Sequence, residues 1–488
     1  MTAQPPDQRT GLTGEAVRSF LWAFGSFGGN RVITFVGTLI LARILVPEHF
    51  GLVAASIVVM TYFEVVLDLG VGSAVVYEQE KRISDRVHTA FTLNLALGGL
   101  LAGGGMLLAP LVAEFFQAGE HTALFRTMFL YLLIRSAWTI PDAVLRRDLA
   151  FRRRLFAELT RGGVRVAVSI PLAMAGYGAW SLVLGMLAGE IAGTAVTWVA
   201  ARFWPRLRLD RTAIRSLLAY GISMLGVRFV AELADSSDYL VVGNRLGPED
   251  LGIYTIAYRV PELVLVTVFW LYSMVAFPIY SRTRAEDSDK LGSAVLRAIG
   301  LTTLFAFPAG VGLAIVAHDA IHVLFSSQWE AAVAPLTLLA LTLGLSSISV
   351  ASGDVLPAIG RPRLLFLANV LVLPPTVAGT IYAAQFGLVA VALVQLIATT
   401  CFVPLLQYYV NRELSLSAWQ VVAALRPAVV AATGVVMVAL PVRLMLESGV
   451  LRLTTTILAG ALGAAIAITV AGRSVLPQLR NLLASVRR

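Results

Sequence analysis

Lysine is nearly missing from this chain: among 488 residues only Lys81 and Lys290 occur. Lys81 follows Glu80 and Lys290 follows Asp289, so neither can serve as the lysine of a glycine-rich phosphate loop, and a P-loop motor is excluded within the sequence. Cysteine is scarcer still. Cys401 stands alone, and no intrachain disulfide is available. Charged residues of all kinds make up 14% of the chain, against 58% hydrophobic. A soluble domain neither needs so much apolar sequence nor could hide it.

The apolar residues come in blocks of twenty or more, such as "LTLLALTLGLSSISVASGDVLPAI", parted by short arginine-rich gaps. About 20 apolar residues cross a bilayer core as a helix, and in lipid the backbone must satisfy its own hydrogen bonds. The blocks predict an all-α polytopic membrane protein with fourteen spans. These fall at about 19–42, 50–76, 88–112, 123–145, 157–175, 178–201, 214–243, 251–280, 292–317, 331–358, 364–384, 387–410, 418–440 and 452–471. The opening "MTAQPPDQRTGLTGEAVRSF" is polar, partly acidic and runs straight into the first span, so a cleaved signal is not expected there.

Arginines bracket the even-numbered gaps. Lys81, Arg82 and Arg86 follow span two, Arg146, Arg147 and Arg152 to Arg154 follow span four, and Arg202, Arg206, Arg208, Arg211 and Arg215 follow span six. Arg282, Arg284 and Lys290 follow span eight, Arg361 and Arg363 span ten, and Arg412 span twelve, while Arg480, Arg487 and Arg488 close the chain. The odd gaps hold far fewer. The positive-inside rule then puts both termini in the cytoplasm. The net charge of +9 reflects this topology, and nucleic acid is not expected as a partner, since no aqueous domain carries the basic residues.

One short turn is written twice. "ILVPEHFGLV" (44–53) and "RLGPEDLGIY" (245–254) share Leu45, Pro47, Glu48 and Gly51 with Leu246, Pro248, Glu249 and Gly252, all displaced by 201 positions. Proline suits a first helical position, and a glutamate beside it suits the positive end of the helix dipole, so each copy is expected to start a span. Gly25 recurs as Gly226 at the same displacement, and "RRLF" at Arg153–Phe156 faces "RLLF" at Arg363–Phe366 after 210. Spans one to six and seven to twelve thus read as two copies of one unit. Six is even, so the copies run the same way through the membrane, as in the parallel repeats of several transporter folds. The expected organisation is a tail (1–18), an N-lobe (19–201), a linker (202–213), a C-lobe (214–410), two further spans (411–471) and a basic tail (472–488).

"LILARILVPEHFGLVAAS" with "VVLDLGVGSAVVYEQE", then "DYLVVGNRLGPEDLGIYTIAYRVPEL", "FPIYSR" and "QWEAAVAPLTLLAL", resemble the polysaccharide-transport (Wzx-type) flippases of the MOP superfamily over roughly residues 15–410. The resemblance implies a bacterial inner-membrane protein that moves an undecaprenyl-diphosphate-linked oligosaccharide between leaflets by alternating access. The partners it implies are that lipid-linked oligosaccharide and membrane lipids, with polysaccharide polymerase and chain-length proteins as candidates. It implies no catalytic residue and no cofactor.

Ionisable residues within a span are expensive, about 2.5–3.5 kcal/mol each on insertion scales, and each needs a reason. Those near mid-span are Arg31, Glu64, Asp68, Arg135, Glu190, Arg228, Glu232 and Asp235; Arg161, Arg165, Arg259 and Glu262 lie nearer span ends. Mutual pairing is the ordinary alternative, and Arg228 could close on Glu232 at i, i+4. A guanidinium cannot lose its charge and grips diphosphate oxygens bidentately, so Arg31, Arg135, Arg161, Arg228 and Arg259 are candidate ligands of a lipid diphosphate. Glu64, Asp68, Glu190, Glu232 and Asp235 are candidate gating or ion-coupling carboxylates. Trp180, Trp198, Trp204 and Trp419 lie near span ends, where interfacial anchoring is ordinary. His318 and His322 have a helical metal spacing but lack a clear third ligand, and no metal is assigned.

Two rivals remain. A cation-coupled small-molecule exporter of the same superfamily would be expected to present a mainly acidic cavity, against which Arg31 and Arg135 argue. A membrane glycan polymerase or ligase would need a long external loop to hold its acid–base residues, and the external gaps here are about a dozen residues at most.

Overall fold

In the computed structural model, residues 29–68, 83–148, 150–204, 206–207, 210–270, 272–273, 276, 280 and 288–470 are described. Both tails, Gly25, Lys81, Arg82, Arg208, Arg282, Arg284 and most of "FPIYSR" lie outside them. Among the described residues the chain is helical, with no strand.

A helix stands at each of the fourteen expected places. α1 covers 29–44 of the described residues. It is followed by α2 (Pro47–Leu67), α3 (Ile83–Phe115), α4 (Thr122–Met128), α5 (Leu130–Arg147), α6 (Phe151–Met174) and α7 (Ala179–Ala201). Then come α8 (Arg211–Arg245), α9 (Pro248–Pro261), α10 (Ser288–Ala320), α11 (Val333–Ala358), α12 (Pro362–Ala383), α13 (Leu388–Glu413), α14 (Ala418–Met445) and α15 (Val450–Val470). α4 and α5 together make the fourth span, broken at Phe129, and a π turn (Glu262–Val266) carries the eighth on past α9. Several helices outrun their apolar blocks by a polar turn, because helical hydrogen bonding does not stop where the hydrocarbon does.

Eleven of these are long and apolar enough to cross a membrane. Among the described residues, α6 and α8, the helices of spans five and seven, are not among them. α6 carries Arg152, Arg153, Arg154, Glu158, Arg161 and Arg165, and α8 carries Arg228, Glu232, Asp235 and Asp238. These two helices carry several of the ionisable residues that fall within spans.

The repeated turn does what its sequence implies. Val46 is extended and Pro47 takes the first helical position of α2. Gly247, at φ +90°, precedes Pro248 at the start of α9. A side chain at Gly247 would be strained, which explains why this copy carries glycine where the first has valine.

The chain divides into two compact units, residues 1–232 and 233–488. In the first, α3 and α5 are joined by Asn94 Nδ2, which donates to Ser136 O at 2.9 Å, and α7 reaches α5 through Trp198 Nε1, which donates to Ala137 O at 2.9 Å. Trp198 also packs edge-on against Phe91, so it is a helix-packing residue as well as a span-end one. Trp204 and Trp419, by contrast, are largely exposed, as interfacial anchors would be.

In the second unit a buried carboxylate, Asp319 at the end of α10, receives Arg452 of α15 and lies 3.6 Å from Arg443 of α14. Ser417 caps α14 reciprocally: its Oγ accepts from Gln420 N at 3.2 Å and its own N donates to Gln420 Oε1 at 2.8 Å. The Asp319 pairs tie the last two helices to α10.

Candidate functional site

Charge in the first unit is organised by a stripe of glycines. Gly185, Gly189 and Gly193 recur every fourth residue of α7 and so share one face. A Cβ at Gly189 would lie 2.6 Å from Arg161 O and 2.9 Å from Arg165 Cβ, and one at Gly193 would lie 2.9 Å from Arg161 Cβ. Only hydrogen fits, so α6 and α7 approach backbone to backbone, as small-residue stripes permit inside membranes. At Gly162 of α6 a Cβ would run into Asn30 Oδ1, and α1 is drawn close by the same device.

This packing aims a row of guanidinium groups into one cavity of about 350 Å³. Arg31, Arg135, Arg154, Arg161 and Arg165 line it, with Glu158 and Glu190, and with Asn30, Tyr131, Trp138 and Met186. Five cations against two anions leave the lining basic by three charges. Glu64 and Asp142, which pair Arg135 and Arg154 without lining the cavity, reduce that excess to one.

The cations are not equivalent. Arg161 Nη1 donates to Glu158 Oε1 at 2.7 Å, and its Nε lies 2.7 Å from Glu190 Oε2, though at an angle that forms no hydrogen bond. Asn30 Nδ2 donates to the other oxygen of Glu158 at 3.4 Å. Arg154 Nε donates to Asp142 Oδ1 at 2.7 Å, and the other oxygen of that buried carboxylate lies 3.0 Å from Arg146 Nε. These are close pairs, and removing one partner of such a pair strands a buried charge. Arg135 is held more loosely. Glu64 and Glu190 lie 3.7 and 3.8 Å from it, beyond hydrogen-bonding distance, and its guanidinium sits 4.0 Å over the Trp138 ring. An arginine steered by charge and stacked on an indole keeps donors for a ligand.

Of the residues singled out in sequence, Arg31, Arg135, Arg161 and Glu190 share this cavity, and Glu64 borders it. Arg228 is elsewhere in the first unit, where Nη1 reaches Asp68 Oδ2 at 2.5 Å and both side chains are about half exposed. Glu232 and Asp235 follow Arg228 on α8. Arg259 belongs to the second unit and lies 3.5 Å from its helical neighbour Glu262. That unit has a cavity of about 450 Å³ at the start of α12, lined by Arg361, Arg363 and Glu413.

Sequence reasoning passed over Trp138 and Glu158, each one helical turn from a chosen arginine, and the buried carboxylates Asp142, Asp238 and Asp319. Asp238, 3% exposed, accepts hydrogen bonds from Tyr254 Oη at 2.8 Å and Tyr258 Oη at 3.3 Å. The signal was the four-residue spacing of those tyrosines, which puts two hydroxyls on one helix face.

Residues 40–334 match the protein family described as polysaccharide biosynthesis protein. The succinoglycan biosynthesis transport protein ExoT of Rhizobium meliloti (strain 1021) is 27% identical over 379 residues, 78% of this chain and 76% of that protein. Among solved structures, the lipid II flippase MurJ in an inward closed conformation shares the fold with a TM-score of 0.77 at 15% identity, over 93% of this chain and 99% of MurJ. A multidrug resistance MATE family transporter of the MOP superfamily, inward-facing, gives 0.65 at 16% identity, over 80% of this chain and 96% of its own.

Proposed function

The chain belongs to the polysaccharide biosynthesis protein family, and from that premise we propose that it is a flippase for an oligosaccharide carried on a polyprenyl diphosphate, working by alternating access. Transport rather than catalysis is the activity of its named relatives, a succinoglycan transport protein and a lipid II flippase. In this reading it sits in a bacterial inner membrane with both termini cytoplasmic, and the glycan reaches a polymerase after crossing.

The observation that carries the reading is the arginine-lined cavity. A diphosphate entering it would meet Arg135, loosely paired and stacked, in a lining that also holds Arg31 and Arg165, and Glu158 and Asp142 hold Arg161 and Arg154 to the walls. Guanidinium donors match phosphate oxygens two at a time. The Trp138 and Tyr131 rings give the same wall an apolar face. The MATE-type alternative fares less well on this cavity, since a basic lining repels the cationic substrates such an exporter would carry.

The test is flipping of a lipid-linked oligosaccharide in vesicles containing purified Arg135 variants. Arg135→Ala should abolish most transport, and Arg135→Lys should also be impaired, because lysine keeps the charge and loses the two-pronged donor. Normal flux by both variants, at normal protein level, would overturn the assignment of this cavity.

A further inference from the structure

The turn after α10 collects three side chains that nothing above employs. α10 ends at Ala320, the chain widens into a π turn (Ile321–Phe325), and after Ser326 at φ +116° it tightens into a 3-10 turn (Ser327–Ala332). π turns inside helices are frequent at functional sites. His318 and His322 lie one helical turn apart with their rings stacked, centroids 4.3 Å apart at 23°. The 3-10 turn brings Glu330 back to them, so that His322 Nε2 lies 2.7 Å from Glu330 Oε2.

The protons on His322 are the informative part. Its Nδ1 is 2.9 Å from His318 O, and a carbonyl oxygen can only accept, so Nδ1 carries hydrogen. A neutral ring with that tautomer has a bare lone pair on Nε2, which would repel the lone pairs of a carboxylate at 2.7 Å. Something positive must therefore stand at Nε2: a proton or a metal ion. Donation from one ring nitrogen to a backbone carbonyl, which leaves the other nitrogen for the metal, is how metal-binding histidines are held. Asp319, next to His318, is already taken up by Arg443 and Arg452.

We propose that His318, His322 and Glu330 form a binding site for a divalent transition-metal cation, zinc being the type case. One ligand atom from each lies within 4.8 Å of the others. Bonds of about 2.0–2.2 Å in a tetrahedron set ligand atoms about 3.3–3.6 Å apart. All three side chains are at least a third exposed, so small side-chain adjustments are open to them. Three protein ligands leave the fourth position to water. The ion would join the π turn to the 3-10 turn, whose Trp329 is fully buried, and so clamp the link between α10 and α11.

The experiment uses the full chain purified in detergent with a tag that contains no histidine, stripped with a chelator and titrated with zinc chloride, then with cobalt(II) chloride. Binding of one zinc per chain is expected, and cobalt should give the visible absorption of a tetrahedral nitrogen–oxygen site. His322→Ala, His318→Gln and Glu330→Gln should each weaken zinc by more than about tenfold, since loss of an outer-shell partner alone costs 10–100-fold. His121→Ala, a histidine 3.9 Å from Glu48 in the other unit, should change nothing. Glu330 is exposed, so its glutamine variant should unfold at the same temperature as the parent without metal. No zinc or cobalt binding by the parent, or binding indifferent to all three substitutions, would overturn the proposal and leave His322 and Glu330 as a protonated ion pair.

Discussion

Gly189→Ala tests whether backbone contact between α6 and α7 builds the arginine cavity. The added methyl would sit 2.6 Å from Arg161 O and 2.9 Å from Arg165 Cβ, where ordinary contact begins at 3.4 Å. The helices must part by ~0.8 Å at that level, and overpacking of this kind costs about 1–3 kcal/mol. Alanine also favours helix by ~1 kcal/mol over glycine, which offsets part of the loss and must be controlled. Gly163→Ala supplies the control: it lies on α6 within the same pair of helices, and a Cβ there meets nothing within 4 Å. The two variants share the propensity gain and differ only in the clash, so Gly189→Ala should be less stable than Gly163→Ala by about 1–3 kcal/mol. Thermal unfolding of both in one detergent measures the difference. Flipping should fall in Gly189→Ala alone, because Glu190, the next residue, moves with the helix and away from Arg161 Nε, which lies 2.7 Å from it in the parent. Equal stability and equal transport in the two variants would refute the reasoning.

Two other expectations follow from charge. Asp319→Asn removes a carboxylate that is 1% exposed and strands Arg443 and Arg452, so a loss of about 3–5 kcal/mol is expected in thermal unfolding, while Arg452→Ala should cost less because Arg443 still faces the carboxylate. In a Cys401→Ser background, single cysteines at Tyr177 and at Arg208 should label from opposite sides of the membrane with an impermeant maleimide; labelling from one side would remove the topology read from the arginine brackets.

The helices were legible because apolar blocks of membrane length admit one backbone solution, and the repeated turn because proline at a helix start has one geometry. The site was legible in depth and not in direction. Hydropathy places Arg135, Arg228 and Arg259 within spans, but which face each helix presents depends on its packing. Arg135 lines the cavity, Arg228 reaches Asp68 and Arg259 lies beside Glu262. Direction was written in the glycines of α7, whose four-residue spacing is visible in sequence and whose partner helix is not. Asp319 was hidden for a different reason: its partners lie 124 and 133 residues further on, a pairing no local pattern encodes.

The polarity of α6 bears on how the protein enters the membrane at all. Arg161 and Arg165 would each oppose insertion of a lone helix by up to about 2.5–3.5 kcal/mol, and α6 is not among the helices apolar enough to cross unaided. α7, which follows after a four-residue turn, is among them, and it carries both the glycine face that fits α6 and the carboxylate of Glu190 that meets Arg161. The two are therefore suited to leave the translocon as a hairpin, with the charges already matched before lipid surrounds them. The stripe of glycines that shapes the cavity in the finished protein would then act first during synthesis, as the condition on which its most polar wall is admitted to the bilayer.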